Sequence, residues 1–409
     1  LYGTLDRSVV LAPAIRAAEN GFKIDDHYVQ AVKNVTTKLD ENPEIKNLIE
    51  KHRLEYLWQT FLFNGQPKSG QILKQPQLAI TLRAIAKYGN SAFYAGPIAK
   101  SITQACPSIS LQDMGRYAAY QTKPLTYKRF NKQFLTMPPP SSGGIAIMQI
   151  LGFLEYWQNE IINKSQHNSP EYIHLVTESM KHAFSDRAKW LADTNFVNVP
   201  INNLLDDNYI TNLAKQYNPS QTYEPNKYGS QQNELFDNIT TNLPDDAGTS
   251  HISVIDQWGN AVACTETINL EFGSLNTIPE YGIIMNNEMD DFVTTPGKPN
   301  AFGLIQSDKN LPEPGKRPLS SMSPTIVLDE NGNVQIIAGA SGGPRIITGT
   351  LQVILNTILF NMKPYEAVAQ PRFHHQWLPN KIWFETIWAD ETTIQKLMTL
   401  GHKTDERKD

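Results

Sequence analysis

A mixed α+β fold, with layered sheets flanked by helices, is what this sequence predicts, and three observations predict it. The first half of the chain carries apolar residues at helical spacing between capping signals. The second half turns to short alternating segments separated by turn residues. A long helix, Arg345 to about Phe360, follows the last of these segments, an order that suits sheets with helices on their faces.

Taken in order, Val9 to Asn20 has an apolar helical face and Gly21 as its C-cap. Leu78 to Lys87 reads as a second helix and Ser91 to Gln104 as a third. Ser110-Leu-Gln-Asp113 has capping-box spacing, with Asp in place of Glu. Met137-Pro-Pro-Pro-Ser-Ser-Gly-Gly144 is a rigid structural connector feeding a helix over Ile145–Tyr156. Ser169-Pro170 opens another, because proline at the first helical position fixes φ and needs no N–H partner. It can run to about Asp193, with Ile173, Val176, Met180 and Phe184 on one face. A short helix near Asn208–Tyr217 precedes a polar stretch that ends in an exposed loop, Asn238 to Gly248. Beyond it, Thr249–Ile255 and Ala261–Ile268 alternate around the turn Asp256–Asn260, a β-hairpin signal. Gly282–Met285, Pro324–Leu328 and Val334–Ala338 complete the strands, the last two joined by a turn at Asp329–Gly332.

Composition narrows the function classes. With 40% hydrophobic and 10% aromatic residues, 409 residues can bury a large core, and such a length predicts about two or three domains. The net charge is -5 and the basic residues are scattered, so no nucleic-acid partner is expected. No apolar run reaches the ~18 residues of a membrane span. Cys106 and Cys264 are too few for a disulfide framework or a metal site, and Cys264 reads as a small buried hydrophobe in mid-strand. Neither a Walker lysine motif nor a dinucleotide glycine fingerprint is present. The start at Leu1-Tyr-Gly-Thr and the stop after Gly401-His-Lys-Thr read as the ends of a fragment.

The chemistry concentrates at the junction Gly248-Thr249-Ser250-His251. A threonine that opens a strand after an exposed loop becomes a chain terminus if the preceding bond is cut. Its free amine then has a pKa of about 7.7–8.0. Such an amine can take the proton of its own hydroxyl as attack begins. The same junction also reads as an ordinary strand-starting threonine. Gly339-Ala-Ser-Gly-Gly-Pro344 joins a strand to a helix start, where unpaired N–H groups suit an oxyanion hole. It also matches the nucleophile-elbow pattern, with Ser341 as nucleophile and His374 or His375 downstream. Leu319-Ser-Ser-Met-Ser-Pro324 clusters hydroxyls, and Asn286-Asn-Glu-Met-Asp-Asp-Phe292 stacks amides and carboxylates at a strand end. Together they offer groups for both a carboxylate and an ammonium, the two ends of an amino-acid α-carbon. Phe373-His-His-Gln-Trp377 has adjacent histidines on opposite faces and no third ligand, and so reads as structural.

These motifs, with Thr267-Ile-Asn269, Lys316-Arg-Pro-Leu319, Gly342-Gly343 and Pro371-Arg372, occur together and in order in one family. The chain resembles γ-glutamyltransferase, also called γ-glutamyltranspeptidase, an N-terminal-nucleophile hydrolase. The resemblance implies an αββα sandwich of two stacked sheets. It implies a proenzyme that cuts itself at Gly248–Thr249 into a large-subunit part, residues 1–248, and a small-subunit part, residues 249–409, which stay together as a heterodimer. It implies Thr249 as nucleophile, Thr267 supporting it, and Gly342 and Gly343 as oxyanion donors. Asn269, Glu288 and Asp291 would hold the donor α-amino group, and Ser320 and Ser321 its α-carboxylate. Pro296–Gly315 resembles the family's lid, with Phe302 where bacterial relatives often carry a tyrosine, and Ser250 stands where threonine is usual.

The implied reaction is γ-glutamyl transfer from glutathione and similar amides to water, amino acids or dipeptides, without metal or organic cofactor. A periplasmic or secreted location goes with it. The family's large subunit begins upstream of Leu1, in a part carrying an arginine for the donor carboxylate, and its last strands lie beyond Asp409. The alternatives are a related amidase, such as a cephalosporin (glutaryl) acylase, and an inactive relative kept for binding. The carboxylates of Asn286–Phe292 speak against an acylase, whose acyl group has no use for them.

Overall fold

A computed structural model describes residues 3–230, 248–386 and 390–407. Most of the expected pre-cleavage loop, Asn238 to Ala247, lies outside the described residues. The chain forms two compact units, Leu1–Gln121 with Leu270–Asn287, and Thr122–Asn269 with Glu288–Asp409. The mixed α+β class is as expected.

The first unit is helical: α1 (Arg7–Asn20), α2 (Asp26–Glu41), α3 (Lys51–Thr60), α4 (Pro76–Tyr88) and α5 (Gly96–Ala105). Gly21 closes α1 with φ +81°, and its N–H donates to the Ala17 carbonyl. The expected helix over Ser91–Gln104 is broken after Tyr94, because Gly96 takes φ +75° and Pro97 restarts the next helix. Val32, Leu39, Leu57 and Leu73 form a core that Phe272, Leu275 and Ile284 join.

The second unit carries the site. One hairpin, β1 (Leu125–Arg129) and β2 (Lys132–Thr136), was not anticipated; its polar Lys128, Arg129, Lys132 and Gln133 hide the alternation. Ser142 precedes α6 (Gly143–Tyr156), and α7 (Pro170–Trp190) is capped by the Ser169 side chain. Residues Tyr172 to Ala188 of α7 are all buried. After α8 (Asp207–Ala214) comes the expected hairpin, β3 (Thr249–Ile255) and β4 (Ala261–Thr267).

Next come β5 (Thr325–Leu328), β6 (Val334–Ala338) and α9 (Arg345–Phe360). A four-stranded sheet has the order β6-β5-β2-β1, with Thr136 opposite Thr325. Helices α6 and α9 lie on this sheet, and the β3–β4 hairpin lies against β6, where the Ser253 hydroxyl donates to the Ile337 carbonyl at 3.1 Å. Cys264 corrects an expectation: it is exposed, on the outward face with Ile252, Val254 and Val262. A three-stranded sheet near the end pairs β7 (Phe373–His374), β8 (Ile382–Glu385) and β9 (Thr404–Arg407).

Candidate active site

The β3–β4 hairpin sets the centre of the site through its register. Thr249 pairs with Thr267, so two hydroxyls on one face of neighbouring strands meet at 2.8 Å. Asn269, held at φ +72°, donates its backbone N–H to the Thr267 hydroxyl at 2.9 Å. The Glu288 carboxyl lies close enough to the Thr267 hydroxyl for that group to draw its pKa down, against the larger rise that burial causes. Either hydroxyl of the Thr249–Thr267 pair can serve as donor to the other.

The peptide bond before Thr249 is tied into the same ladder. The Gly248 carbonyl accepts from the Ile268 N–H at 2.8 Å, and the Gly248 N–H donates to the Asn269 carbonyl at 2.9 Å. Thr249 itself is buried.

A pocket opens beside Thr249 and Thr267, and Asn269, Asp291, Ser320 and Ser321 also line it. One side is acidic. Glu288–Asp291 forms a single helical turn after the strand Ile283–Ile284. Burial pushes the Asp291 carboxyl up to about 8; Glu288 and Asp290 add to the rise, and Arg187 opposes it. Burial also raises Glu288, against the pull of the Thr267 hydrogen bond. Asp290 accepts the Ala301 N–H at 3.0 Å and so anchors the segment that carries Phe302.

The other side is hydroxylic. The Ser320 carbonyl accepts from the Ser142 N–H and from the Ser142 hydroxyl, each at 2.8 Å. The proline-rich connector thus braces the serine turn, and a Cβ on Gly143 would come within 2.1 Å of the Ser323 hydroxyl. Gly342 (φ +110°) and Gly343 (φ +58°) turn the chain into α9. Their carbonyls accept from Arg345 and Ile346, leaving the N–H side of the turn to face outward at a helix start. A Cβ on Gly343 would meet the Phe302 ring at 2.5 Å, so the buried Phe302 packs directly on that glycine.

All ten residues picked from the sequence for catalysis, binding or the lid therefore fall in or beside one pocket. Sequence reasoning missed Arg187, which donates from Nε to Ser142 at 3.0 Å and from Nη2 to Ser321 at 3.4 Å. A signal existed. Arg187 continues the buried stripe Ile173, Val176, Met180 and Phe184, and a cation on an apolar stripe calls for a reason.

The elbow reading of Ser341 fails on geometry. Ser341 is exposed, whereas His374 is buried and bonded to Thr348 and Gln376, and His375 to Asn380 and the Trp377 N–H. Both histidines are structural. Among the described residues, His174, Glu178 and His402 have metal-ligand spacing. Their atoms are already engaged: His174 bonds His402 at 2.7 Å and the Asn218 carbonyl, while Glu178 takes Lys181, Thr222 and Tyr228. The Lys181 ammonium there opposes a second cation.

The profile described as gamma-glutamyltranspeptidase matches residues 1–409. The chain is 37% identical over 412 residues to the glutathione hydrolase proenzyme of Escherichia coli (strain K12), covering 98% of this chain and 66% of that protein. It is 36% identical over 412 residues to glutathione hydrolase 2 of Arabidopsis thaliana, covering 98% of this chain and 66% of that one. The chain thus spans about two thirds of the length of the curated relatives it matches. In fold it resembles the crystal structure of cephalosporin acylase from Bacillus halodurans, with a TM-score of 0.79 at 22% identity over 100% of this chain and 69% of that one. The acylase shares a fold; the profile runs from one end of the chain to the other, over the same motifs that folding gathers around Thr249. On that ground the chain belongs to the gamma-glutamyltranspeptidase family.

Proposed function

We propose that the protein of which this chain is part cuts itself at Gly248–Thr249 and then transfers γ-glutamyl groups through a Thr249 acyl-enzyme. The observation that carries the reading is the Thr249 hydroxyl, hydrogen-bonded to Thr267 beside a pocket with carboxylates on one side and hydroxyls on the other. In self-cleavage the Thr249 hydroxyl attacks the Gly248 carbonyl, the peptide shifts to an ester, and water releases the Gly248 carboxylate.

The freed Thr249 amine then serves as base for its own hydroxyl. The donor's γ-carbonyl is attacked, its oxyanion faces the Gly342 and Gly343 N–H groups, and the amine protonates the leaving nitrogen. Water, or the amine of an amino acid or dipeptide, resolves the ester. Asn269, Glu288 and Asp291 hold the donor ammonium, and Ser320 and Ser321 its carboxylate. Phe302 lies over the oxyanion turn as part of a lid.

Glutathione is the donor this arrangement suits, because its γ-glutamyl end presents an ammonium and a carboxylate on one carbon. An acylase substrate without that amine leaves Asp291 and Glu288 with nothing to pair. The two subunit parts, and a periplasmic or secreted setting, belong to the same proposal.

Intact mass of the complete protein, with N-terminal sequencing of its fragments, tests the reading. The wild type is expected to yield a fragment beginning at Thr249 and to release p-nitroaniline from γ-glutamyl-p-nitroanilide. Thr249→Ala is expected to stay whole and inactive. A wild type that remains one polypeptide while turning over the donor would refute the mechanism.

A further inference from the structure

Arg187 is among the largest wholly buried side chains, in the last turn of α7. Among the described residues no carboxylate lies within ion-pair distance of it. Its Nη1 is buried and makes no hydrogen bond there. A buried guanidinium without an ion pair carries an uncompensated desolvation cost. Burial lowers its pKa to about 10, and Asp291 is close enough for its charge to resist that fall. A group kept at such a cost needs an explanation, and its contacts provide one.

Arg187 holds the serine turn from behind by two routes. Nε donates to the Ser142 hydroxyl, whose own proton goes to the Ser320 carbonyl. Nη2 donates to the Ser321 hydroxyl, so that oxygen is occupied on the arginine side and its proton is turned toward the pocket. A cation behind a hydroxyl also strengthens that hydroxyl as a donor to an anion in front of it. On the opposite side, the same charge favours the ionised form of Asp291.

We propose that Arg187 is the positioning residue of this pocket: through Ser142 and Ser321 it sets the Ser320–Ser321 turn to receive a carboxylate. The buried cation thus readies the carboxylate end of the site, and its charge also favours the ionised form of Asp291 across the pocket. The proposal rests on the γ-glutamyl reading for the identity of the donor. The charged groups facing Asp291 are Glu288 and Asp290 of its own turn and Arg187 of α7.

The test uses the complete precursor as wild type, Arg187→Met and Arg187→Lys. Self-cleavage is followed by intact mass, and KM and kcat for γ-glutamyl-p-nitroanilide are followed against pH. Arg187→Met is expected to mature, to raise the donor KM by about tenfold or more, and to move the acid limb of kcat/KM to higher pH, with kcat changed far less. Arg187→Lys is expected to restore the acid limb but not KM, because one ammonium cannot replace the fork that serves Ser142 and Ser321 together.

A matured Arg187→Met with wild-type KM and acid limb overturns the proposal, as does a fall in kcat alone. If Arg187→Met does not accumulate, Arg187→Lys decides: a raised KM with an unmoved limb supports the role, and a wild-type KM overturns it. Failure of the wild type to cleave the donor sinks the γ-glutamyl reading and this inference together. Failure confined to the variants sinks this inference alone.

Discussion

At the scale of single residues, Asp291 sets the expected pH behaviour. Its carboxyl is pushed up to about 8 by burial, with Glu288 adding to the rise. An ammonium is held by the ionised form, which is lost as pH falls through that value. The donor kcat/KM of the mature enzyme should therefore rise with pH through about 8. Asp291→Asn should abolish that limb and raise the donor KM by about ten- to a hundredfold, while slowing self-cleavage far less. Equal losses in the two steps would remove Asp291 from the binding role.

Thr267 makes the opposite prediction. Thr267→Val takes away the partner of the Thr249 hydroxyl and of the Asn269 N–H. It should slow self-cleavage by about a hundredfold, and Thr267→Ser should recover most of the rate, read as fragment appearance over time. A Thr267→Val precursor that matures at the wild-type rate would remove Thr267 from that role.

At the scale of elements, two turns are packed too tightly for a methyl group. Gly143→Ala would place a Cβ 2.1 Å from the Ser323 hydroxyl and 2.8 Å from the Met322 carbonyl. It should cost about 1–3 kcal/mol of stability, measured as a lower midpoint in urea. Gly343→Ala meets the Phe302 ring and a left-handed φ of +58° at once. It should lower kcat by about 10²–10³-fold by misaligning the oxyanion donors, read as turnover of γ-glutamyl-p-nitroanilide by the matured protein.

Much of this scale was legible. The Ser110 capping box, the Ser169 cap, the hairpin from Thr249 to Thr267 and the helix Arg345–Phe360 all follow from local chemistry. The β1–β2 hairpin was not, because its strands are justified by pairing with β5, nearly two hundred residues away in the chain. Cys264 was misplaced because alternation gives the period of a strand and not which face is covered.

At the scale of the whole molecule, the expected cut would not separate the pieces. The four-stranded sheet places β1 and β2, from before Gly248, beside β5 and β6, from after it. The unit built on Leu1–Gln121 also includes Leu270–Asn287, from beyond the cut. Native mass should therefore be unchanged by maturation except for one bound water, and denaturing mass should show two polypeptides. Fragments that part without denaturant would contradict the interleaved sheet.

The sequence alone determined the residue types of the site and their order, because turns, caps and strand starts are local chemistry. Thr249, the glycine pair, the serine pair and the acidic turn are all legible in it. Only the tertiary structure decided that the hydroxyls of Thr249 and Thr267 meet, that His374 and His375 are engaged with partners other than Ser341, and that Arg187 stands behind the pocket. Those facts depend on contacts between segments remote in the chain, and neither local pattern nor composition carries that distance.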